Sequence, residues 1–186
     1  MGRKPILPDE FGVYTEKQIT KLKSRAMNSS LYYLQQMPKT EHQLRENLRK
    51  KQIPQDIIDE TMQKLIDVGW VNDRNFAENF IFSKRKYEKL GSSSIKMKLI
   101  QKGIESHIID ELLNEVSQEE LRETAIILAE KKLRSLKREP DRNKKIQKIV
   151  SHLAYRGYNG GVAFEVAKEV VDKNAENDPD PDELVE

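Results

Sequence analysis

The lysine and arginine side chains of this sequence occur in clusters, and their charge and spacing suit them to bind a partner. Residues 82–102 contain seven cations and one acid, and residues 131–148 contain nine cations and two acids. The cations are Lys84, Arg85, Lys86, Lys89, Lys96, Lys98, Lys102, Lys131, Lys132, Arg134, Lys137, Arg138, Arg142, Lys144, Lys145 and Lys148. Such runs attract polyanions, although lysines on exposed helix faces also serve simple solvation.

The charge of the chain is unevenly distributed. The formal net charge is +2, but residues 172–186 carry −6, so the first 171 residues carry +8. A basic body with an acidic end favours a polyanionic partner. The proline content and charge of residues 174–186 predict a disordered tail.

Catalytic constellations are missing from the sequence. The chain has no cysteine, which rules out disulfides and thiolate zinc sites. Its histidines, His42, His107 and His152, are scattered, with no second ligand at metal-binding spacing. The acidic pairs at 59–60 and 110–111 are better interpreted as solvated helix faces than as a catalytic carboxylate pair. We therefore predict a protein with no enzymatic activity, no cofactor and no metal.

Targeting and membrane signals are also missing. No segment approaches the roughly 18 apolar residues of a membrane span. The N-terminus has no apolar run that could serve as a signal peptide. We expect a cytoplasmic monomer that does not bind membranes.

The elements that position the basic side chains are predicted to be helices. Apolar residues recur every three or four positions, in segments separated by glycine, proline and capping residues. The spacing of a capping box occurs at Thr15/Gln18, Thr40/Gln43 and Ser117/Glu120. Gly69 and Gly91 are expected to end helices, Gly69 in the left-handed conformation.

The sequence repeats itself. A shift of 51 residues aligns Leu44 with Ile95, Leu48 with Leu99, Lys51 with Lys102, Ile53 with Ile104, Ile57 with Ile108 and Ile58 with Ile109. A further shift of 54 residues aligns Ile95 with Ile149, Leu99 with Leu153, Lys102 with Arg156, Gly103 with Gly157 and Ile104 with Tyr158. The repeating unit is one long helix followed by two short ones.

We predict an all-α fold of three tandem three-helix repeats, at residues 15–69, 70–116 and 117–173. An N-terminal arm (1–14) and the acidic tail (174–186) flank them. A three-helix unit this small buries too little apolar surface to be stable alone, so the repeats must stack. Stacking predicts an elongated, curved array; the alternative is a globular nine-helix bundle with accidental similarity.

Four segments together resemble the RecX family of recombination regulators. They are residues 65–77 (LIDVGWVNDRNFA), 89–95 (KLGSSSI), 99–104 (LIQKGI) and 153–158 (LAYRGY). The segment from Ser29 to Leu44 is similar to the opening motif of the family, with Lys39-Thr40 where Arg-Ser is usual. The match follows the family's order over about residues 17–173.

The resemblance implies a modulator of the RecA recombinase, usually an inhibitor. Proteins of this family bind the RecA filament on single-stranded DNA, within its helical groove. They interfere with filament growth, ATP hydrolysis, strand exchange and the promoted self-cleavage of the SOS repressor. The alternative is a helical-repeat protein that binds single- or double-stranded DNA directly and affects recombination by competition for DNA.

The candidate contact residues are the cations of both basic stretches except Arg142, together with Lys39, Tyr155 and Arg156. Lys102 and Arg156 are favoured because they recur at the same corner of different repeats, although cations late in a helix also stabilise its dipole. The tyrosines are candidates for stacking on bases: Tyr32, Tyr33, Tyr87, Tyr155 and Tyr158. We expect Tyr33 and Tyr87 in the core, Tyr155 exposed and Trp70 packed between repeats.

Overall fold

The computed structural model describes residues 6–177, and nine α-helices without any β-strand make up the regular structure of that range. The helices are α1 (Glu16–Gln36), α2 (Glu41–Lys50), α3 (Gln55–Asp67), α4 (Asp73–Lys86), α5 (Ser92–Gln101), α6 (Ser106–Asn114), α7 (Gln118–Arg134), α8 (Arg142–Tyr155) and α9 (Gly160–Asn177). α9 thus includes the first four residues, 174–177, of the expected acidic tail. Residues 178–186 of that tail, and the first five of the arm, lie outside the described range.

Local capping signals set the beginnings of several helices. Thr15 and Thr40 each form the reciprocal capping box with the glutamine three residues later, as the sequence predicts. Ser117 accepts a hydrogen bond from the Glu120 amide, but the Glu120 carboxylate pairs with Arg85 at 3.1 Å instead of returning to the cap. The third box is therefore only half formed.

Two clusters of buried apolar residues hold the first and last three helices. The cluster of α1, α2 and α3 contains Leu22, Ala26, Leu44, Leu48, Ile53, Ile57, Ile58, Met62, Leu65 and Val71. The cluster of α7, α8 and α9 contains Ala125, Leu128, Ala129, Leu133, Ile146, Ile149, Leu153, Tyr158, Ala163, Val166, Ala167, Val170 and Val171. Each cluster is small, which agrees with thin helical layers rather than one large core.

The chain divides into two compact units. One unit holds the chain up to Asn79 together with Ile100–Glu105. The other holds Phe80–Leu99 together with the chain from Ser106 onward. α4 and α5 are divided between the two units, and α6 lies in the second. The residue boundaries given above for the arm, the three repeats and the tail stay a prediction.

In the first unit, the start of α2 packs against the corner between α5 and α6. The buried Thr40 hydroxyl donates to the Lys102 carbonyl at 2.6 Å. A Cβ on Gly103 would lie 2.3 Å from the His42 side chain, and Gly103 has a φ of +78°. Only glycine combines that conformation with so close a neighbour. We call this contact the first corner joint.

Asp73 completes the first corner joint. Its Oδ1 accepts a hydrogen bond from the Glu41 amide at 2.8 Å, so it caps α2, whereas Asn72 caps α4. Burial raises the pKa of the Asp73 carboxyl, and the Glu41 amide acts in the opposite direction by stabilising the charged form.

The same arrangement recurs in the second unit, at the start of α5 and the corner between α8 and α9. Amides at the start of α5 donate to corner carbonyls, Gly91 N to Arg156 O at 2.9 Å and Ser93 N to Gly157 O at 3.1 Å. A Cβ on Gly157, whose φ is +88°, would lie 2.3 Å from the Ser94 nitrogen. We call this contact the second corner joint. The repeated basic-Gly-apolar motif is therefore a packing element.

The role predicted for Gly91 is wrong. α4 ends at Lys86, and the left-handed residue after it is Lys89, with a φ of +52°. Gly91 is instead required for close approach, because a Cβ there would lie 2.3 Å from the Gly157 carbonyl oxygen. The sequence pattern shows that glycine is needed but not which of its properties is used.

Two aromatic residues are more exposed than expected. Tyr87 is 72% exposed, not in the core, because it lies beyond the end of α4 and the helical period no longer applies to it. Trp70 is 54% exposed, so the expected packing between repeats does not cover it. Tyr33 is half-buried against the α1–α3 cluster, close to the prediction.

The Gly157→Ala substitution tests the second corner joint. We expect the free energy of unfolding to fall by about 2–5 kcal/mol, since a left-handed alanine costs about 1–2 kcal/mol and an unrelieved contact about 1–3 kcal/mol. Urea denaturation followed by circular dichroism measures the change.

Alanine substitutions at two further glycines separate the conformational cost from the cost of the close contact. Gly69→Ala has a similar φ of +74° but open space around the new Cβ, so it should cost only the conformational part, about 1 kcal/mol. Gly91→Ala meets the contact without the left-handed conformation. A Gly157→Ala protein no less stable than Gly69→Ala would contradict the joint.

Thr40→Val tests the first corner joint. Valine keeps the shape but loses the helix cap and leaves the Lys102 carbonyl without its donor, so we expect a loss of about 2–4 kcal/mol. Thr40→Ser should retain most of the stability. Thr15→Val, at an exposed cap, should cost only about 1 kcal/mol. Equal losses at Thr15 and Thr40 in urea denaturation would show that the Lys102 hydrogen bond contributes nothing.

Candidate partner-binding surface

The structure separates the candidate cations into paired and unpaired groups. Four candidates are neutralised by acids, and they are Lys84 with Glu88, Arg85 with Glu120, Lys96 with Asp110, and Lys148 with Glu139. Arg142, from the same stretch, holds Asp172 through two hydrogen bonds of 2.8 and 2.9 Å. These ion pairs stabilise the fold, although each exposed pair contributes only about 0–1 kcal/mol.

A second group carries uncompensated charge at one end of the α7–α8 pair. Within residues 6–177, none of these exposed side chains has an ion-pair partner: Lys131, Arg134, Lys137, Arg138 and Lys144. They lie in the last turn of α7, the connection after it and the first turn of α8. We call them the α7–α8 basic end. Lys132 and Lys145 are half-buried beside them.

Helix electrostatics explains some of this charge but not all of it. Lys131 and Arg134 lie in the last turn of α7, where cations stabilise the helix dipole. Lys144 lies in the first turn of α8, where a cation is unfavourable and Asp141 supplies the cap. The helix dipole therefore does not account for Lys144, whose charge acts on the nearby Glu139 carboxylate.

The corner cations have structural partners. The Arg156 guanidinium donates to the Glu88 carbonyl at 2.7 Å, in the second corner joint. The Lys102 ammonium lies 5.6 Å from the centre of the Phe76 ring. These contacts give a structural reason for a cation at the same corner in both repeats, which the sequence alone left open.

The remaining candidates lie apart from the α7–α8 basic end in the sequence. Lys39 lies over the Tyr33 ring, with 4.4 Å between the ammonium nitrogen and the ring centre. Lys98 is exposed on α5, and Lys89 is half-buried after α4. Tyr155 is 89% exposed, as the sequence predicts. The structure therefore joins only part of the candidate set into one surface.

Sequence reasoning missed one exposed aromatic residue in the second half of α4. Phe82 is 59% exposed and was not a candidate. The Lys86 ammonium lies 5.1 Å from the centre of the Phe82 ring and 5.6 Å from that of Tyr87. One signal was available: Ala77 and Ile81 are the buried residues of α4, and a helix turns Phe82 about 100° away from Ile81.

His152 and Tyr158 lie near the second corner joint, and burial shifts the pKa of each side chain. Burial lowers the pKa of His152 below its ordinary value, and the positive charges of Arg156 and Lys132 lower it further. Burial also raises the pKa of Tyr158, whose hydroxyl donates to the Lys89 carbonyl at 3.1 Å. The corner is thus a closely packed, positively charged environment.

Metal-binding clusters and membrane-spanning helices are absent from the described part of the chain. Residues 6–177 contain no cluster of three or more histidine, cysteine or acidic side chains placed to hold a metal ion. No helix in the same range is both long and apolar enough to cross a membrane.

These observations define a class of protein, the all-helical proteins built from tandem three-helix repeats. Comparison with family models names the repeats: the RecX first, second and third three-helix domains match residues 26–65, 72–113 and 118–171. The chain belongs to the RecX family of regulatory proteins. The resemblance found in the sequence motifs is confirmed.

Individual relatives agree with the family assignment. The chain is 32% identical over 140 residues to regulatory protein RecX of Streptomyces coelicolor, which covers 75% of this chain and 74% of that protein. It is 36% identical over 156 residues to regulatory protein RecX of Clostridium acetobutylicum, with 80% and 70% covered.

A solved structure supports the fold. The crystal structure of RecX from Lactobacillus salivarius is similar to this chain with a TM-score of 0.76 and 28% identity, covering 81% of this chain and 97% of that one. The all-α tandem-repeat fold predicted from the sequence is therefore confirmed.

Arg156→Met tests whether the corner arginine has the structural role that its contacts indicate. We expect the His152 pKa to rise part of the way towards 6.5, because one of the two positive charges is removed while burial remains. The loss of the hydrogen bond to the Glu88 carbonyl should cost about 1 kcal/mol. An NMR titration of the imidazole and urea denaturation provide the two measurements.

Lys132→Met is the matched control, because it removes the other charge without touching that carbonyl.

The pKa of His152 also makes the stability of the fold depend on pH. Because the pKa of His152 is lower in the folded state, the unfolded chain binds the proton more readily. The free energy of unfolding therefore falls as the pH drops below about 6.5. An unchanged His152 pKa in Arg156→Met would contradict the assignment.

Proposed function

We propose that this protein binds the filament that RecA forms on single-stranded DNA and inhibits it. Membership of the RecX family supports a regulatory role, and relatives are named regulatory protein RecX. Binding in the groove of the filament would restrict its growth. The ATPase, strand-exchange and SOS co-protease activities of RecA then fall together, because all three require the extended filament.

The α7–α8 basic end is the observation from the structure that supports an anionic partner. Its five exposed cations form no salt bridge within residues 6–177, and only Lys144 acts on a nearby acid, the Glu139 carboxylate, so most of their charge is available to a ligand. The side chains extend from two helices that pack on α9 through a shared apolar cluster. A charged surface on packed helices is positioned before binding and loses little entropy when the partner arrives.

Direct binding to DNA is the second candidate function, because unpaired cations suit bare phosphates equally well. If all five bind single-strand phosphates, the logarithm of the affinity should fall with the logarithm of the salt concentration with a slope of about −3.5. A steep slope with DNA alone would favour this candidate.

A binding comparison distinguishes the two functions. The protein is mixed with RecA alone, with single-stranded DNA alone and with the assembled filament, and binding is followed together with the DNA-dependent ATPase rate of RecA. We expect the tightest binding with the filament, weaker binding with single-stranded DNA alone, and a lowered ATPase rate of the filament. Equal affinity for bare DNA and filament would support competition for DNA instead.

Neutralising the basic end tests its role in inhibition. The combined substitutions Lys137→Gln, Arg138→Gln and Lys144→Gln should raise the concentration needed for half-inhibition of the RecA ATPase by roughly tenfold, if each lost contact costs about 0.5 kcal/mol. Circular dichroism should be unchanged, because these side chains are exposed.

The matched control removes three cations that are paired in the structure and are not candidate contact residues, with Lys23→Gln, Arg49→Gln and Lys64→Gln. Both variants lose the same net charge, so a general electrostatic effect would weaken both equally. Inhibition that is the same in the two variants would remove the basic end from the proposed interface.

A further inference from the structure

Three aromatic rings of the second unit are exposed close to the second corner joint. Phe82, Tyr87 and Tyr155 are 59%, 72% and 89% exposed. Tyr87 immediately precedes Glu88, whose carbonyl binds the Arg156 side chain, and Tyr155 immediately precedes Arg156. The hydrogen bond of 2.7 Å between the Arg156 guanidinium and the Glu88 carbonyl therefore links the residues that follow the two tyrosines.

A cation lies near two of these rings. The Lys86 ammonium lies within 5.1 Å of the centre of the Phe82 ring and 5.6 Å of that of Tyr87. Lys86 has no acidic partner within residues 6–177, in contrast to its neighbours Lys84 and Arg85. The Phe82 and Tyr87 rings and the ammonium group thus form a surface that is both aromatic and positively charged. Tyr155 is connected to it through the hydrogen bond between Arg156 and the Glu88 carbonyl. We call Phe82, Lys86, Tyr87 and Tyr155 the aromatic surface.

The fold does not account for the aromatic surface. α4 buries Ala77 and Ile81, and α8 buries Ile146, Ile149 and Leu153, so the apolar faces of both helices are formed without the three rings. Large apolar side chains that remain in water at neighbouring positions usually mark an interaction site. Their charge and shape indicate what binds there.

We propose that the aromatic surface binds single-stranded DNA by stacking its rings on unpaired bases. Every base presents a flat face that a tyrosine or phenylalanine ring can cover, whatever the sequence. The phosphate between two stacked bases carries the negative charge that suits Lys86. An acidic protein would match the charge of Lys86 but would leave the faces of the rings without planar partners.

The inference deepens the proposed function, since single-stranded DNA is one component of the proposed filament partner. The two can fail separately. Binding to bare oligonucleotides tests the stacking, whereas inhibition of the RecA ATPase tests the regulation of the filament. The α7–α8 basic end contributes phosphate contacts only, so it does not distinguish a base from an abasic sugar.

Fluorescence anisotropy with the full chain and two labelled oligomers tests the proposal. One oligomer is oligothymidine, and the other is an abasic deoxyribose phosphate of equal length. We expect Tyr87→Ala and Tyr155→Ala each to raise the Kd for oligothymidine by roughly tenfold, with little change for the abasic oligomer. Tyr155→Phe should retain the binding, because the ring is kept and the hydroxyl is not used.

Phe11→Ala is the control for loss of an exposed ring, since Phe11 is 82% exposed and lies in the N-terminal segment. It should bind oligothymidine as the unaltered protein does. Equal affinity of the unaltered protein for both oligomers would overturn the proposal. So would alanine variants that bind oligothymidine normally; if those variants also failed to inhibit RecA, the rings would contact protein instead.

Discussion

The close approach of backbones at the two corner joints is the constraint on which the rest of the structure depends. At Gly103 and Gly157 the chain turns with positive φ while the start of an earlier helix lies against the missing Cβ. The three-helix segments are too small to be stable alone, so burial at such joints must supply part of their stability. The capping residue Thr40 contributes to both the local helix and the joint, which couples helix formation to packing.

The contacts at the joints also determine which cations stay available to bind a partner. Arg156 is used by the Glu88 carbonyl and Lys102 lies over Phe76, so the cations that recur in the sequence have roles within the fold. The α7–α8 basic end lies away from both corners in the sequence, and its charge is uncompensated within residues 6–177. The packed helices hold these cations in place before a partner arrives. An anionic partner can therefore bind them at low entropic cost.

Sequence reasoning succeeded where the determining interaction is local. The capping boxes at Thr15 and Thr40, the left-handed Gly69 and the three-helix pattern all depend on residues within a few positions of each other. It failed at Gly91 and Tyr87, because the extent of α4 is decided by what packs against the following residues and not by the period of α4 itself. Phe82 was overlooked for a related reason: an apolar residue in a helix is assumed to be inside until neighbours show otherwise.

The sequence by itself determined the family, the all-α class and the repeated unit. Helix periods, caps and motif order depend on residues that are close together along the chain. Only the tertiary structure decided which cations are neutralised and which rings stay in water. Arg85 meets Glu120 across 35 positions, and Arg156 reaches the Glu88 carbonyl across 68. No local pattern encodes such pairs, since packing of distant helices alone sets the distances between their side chains.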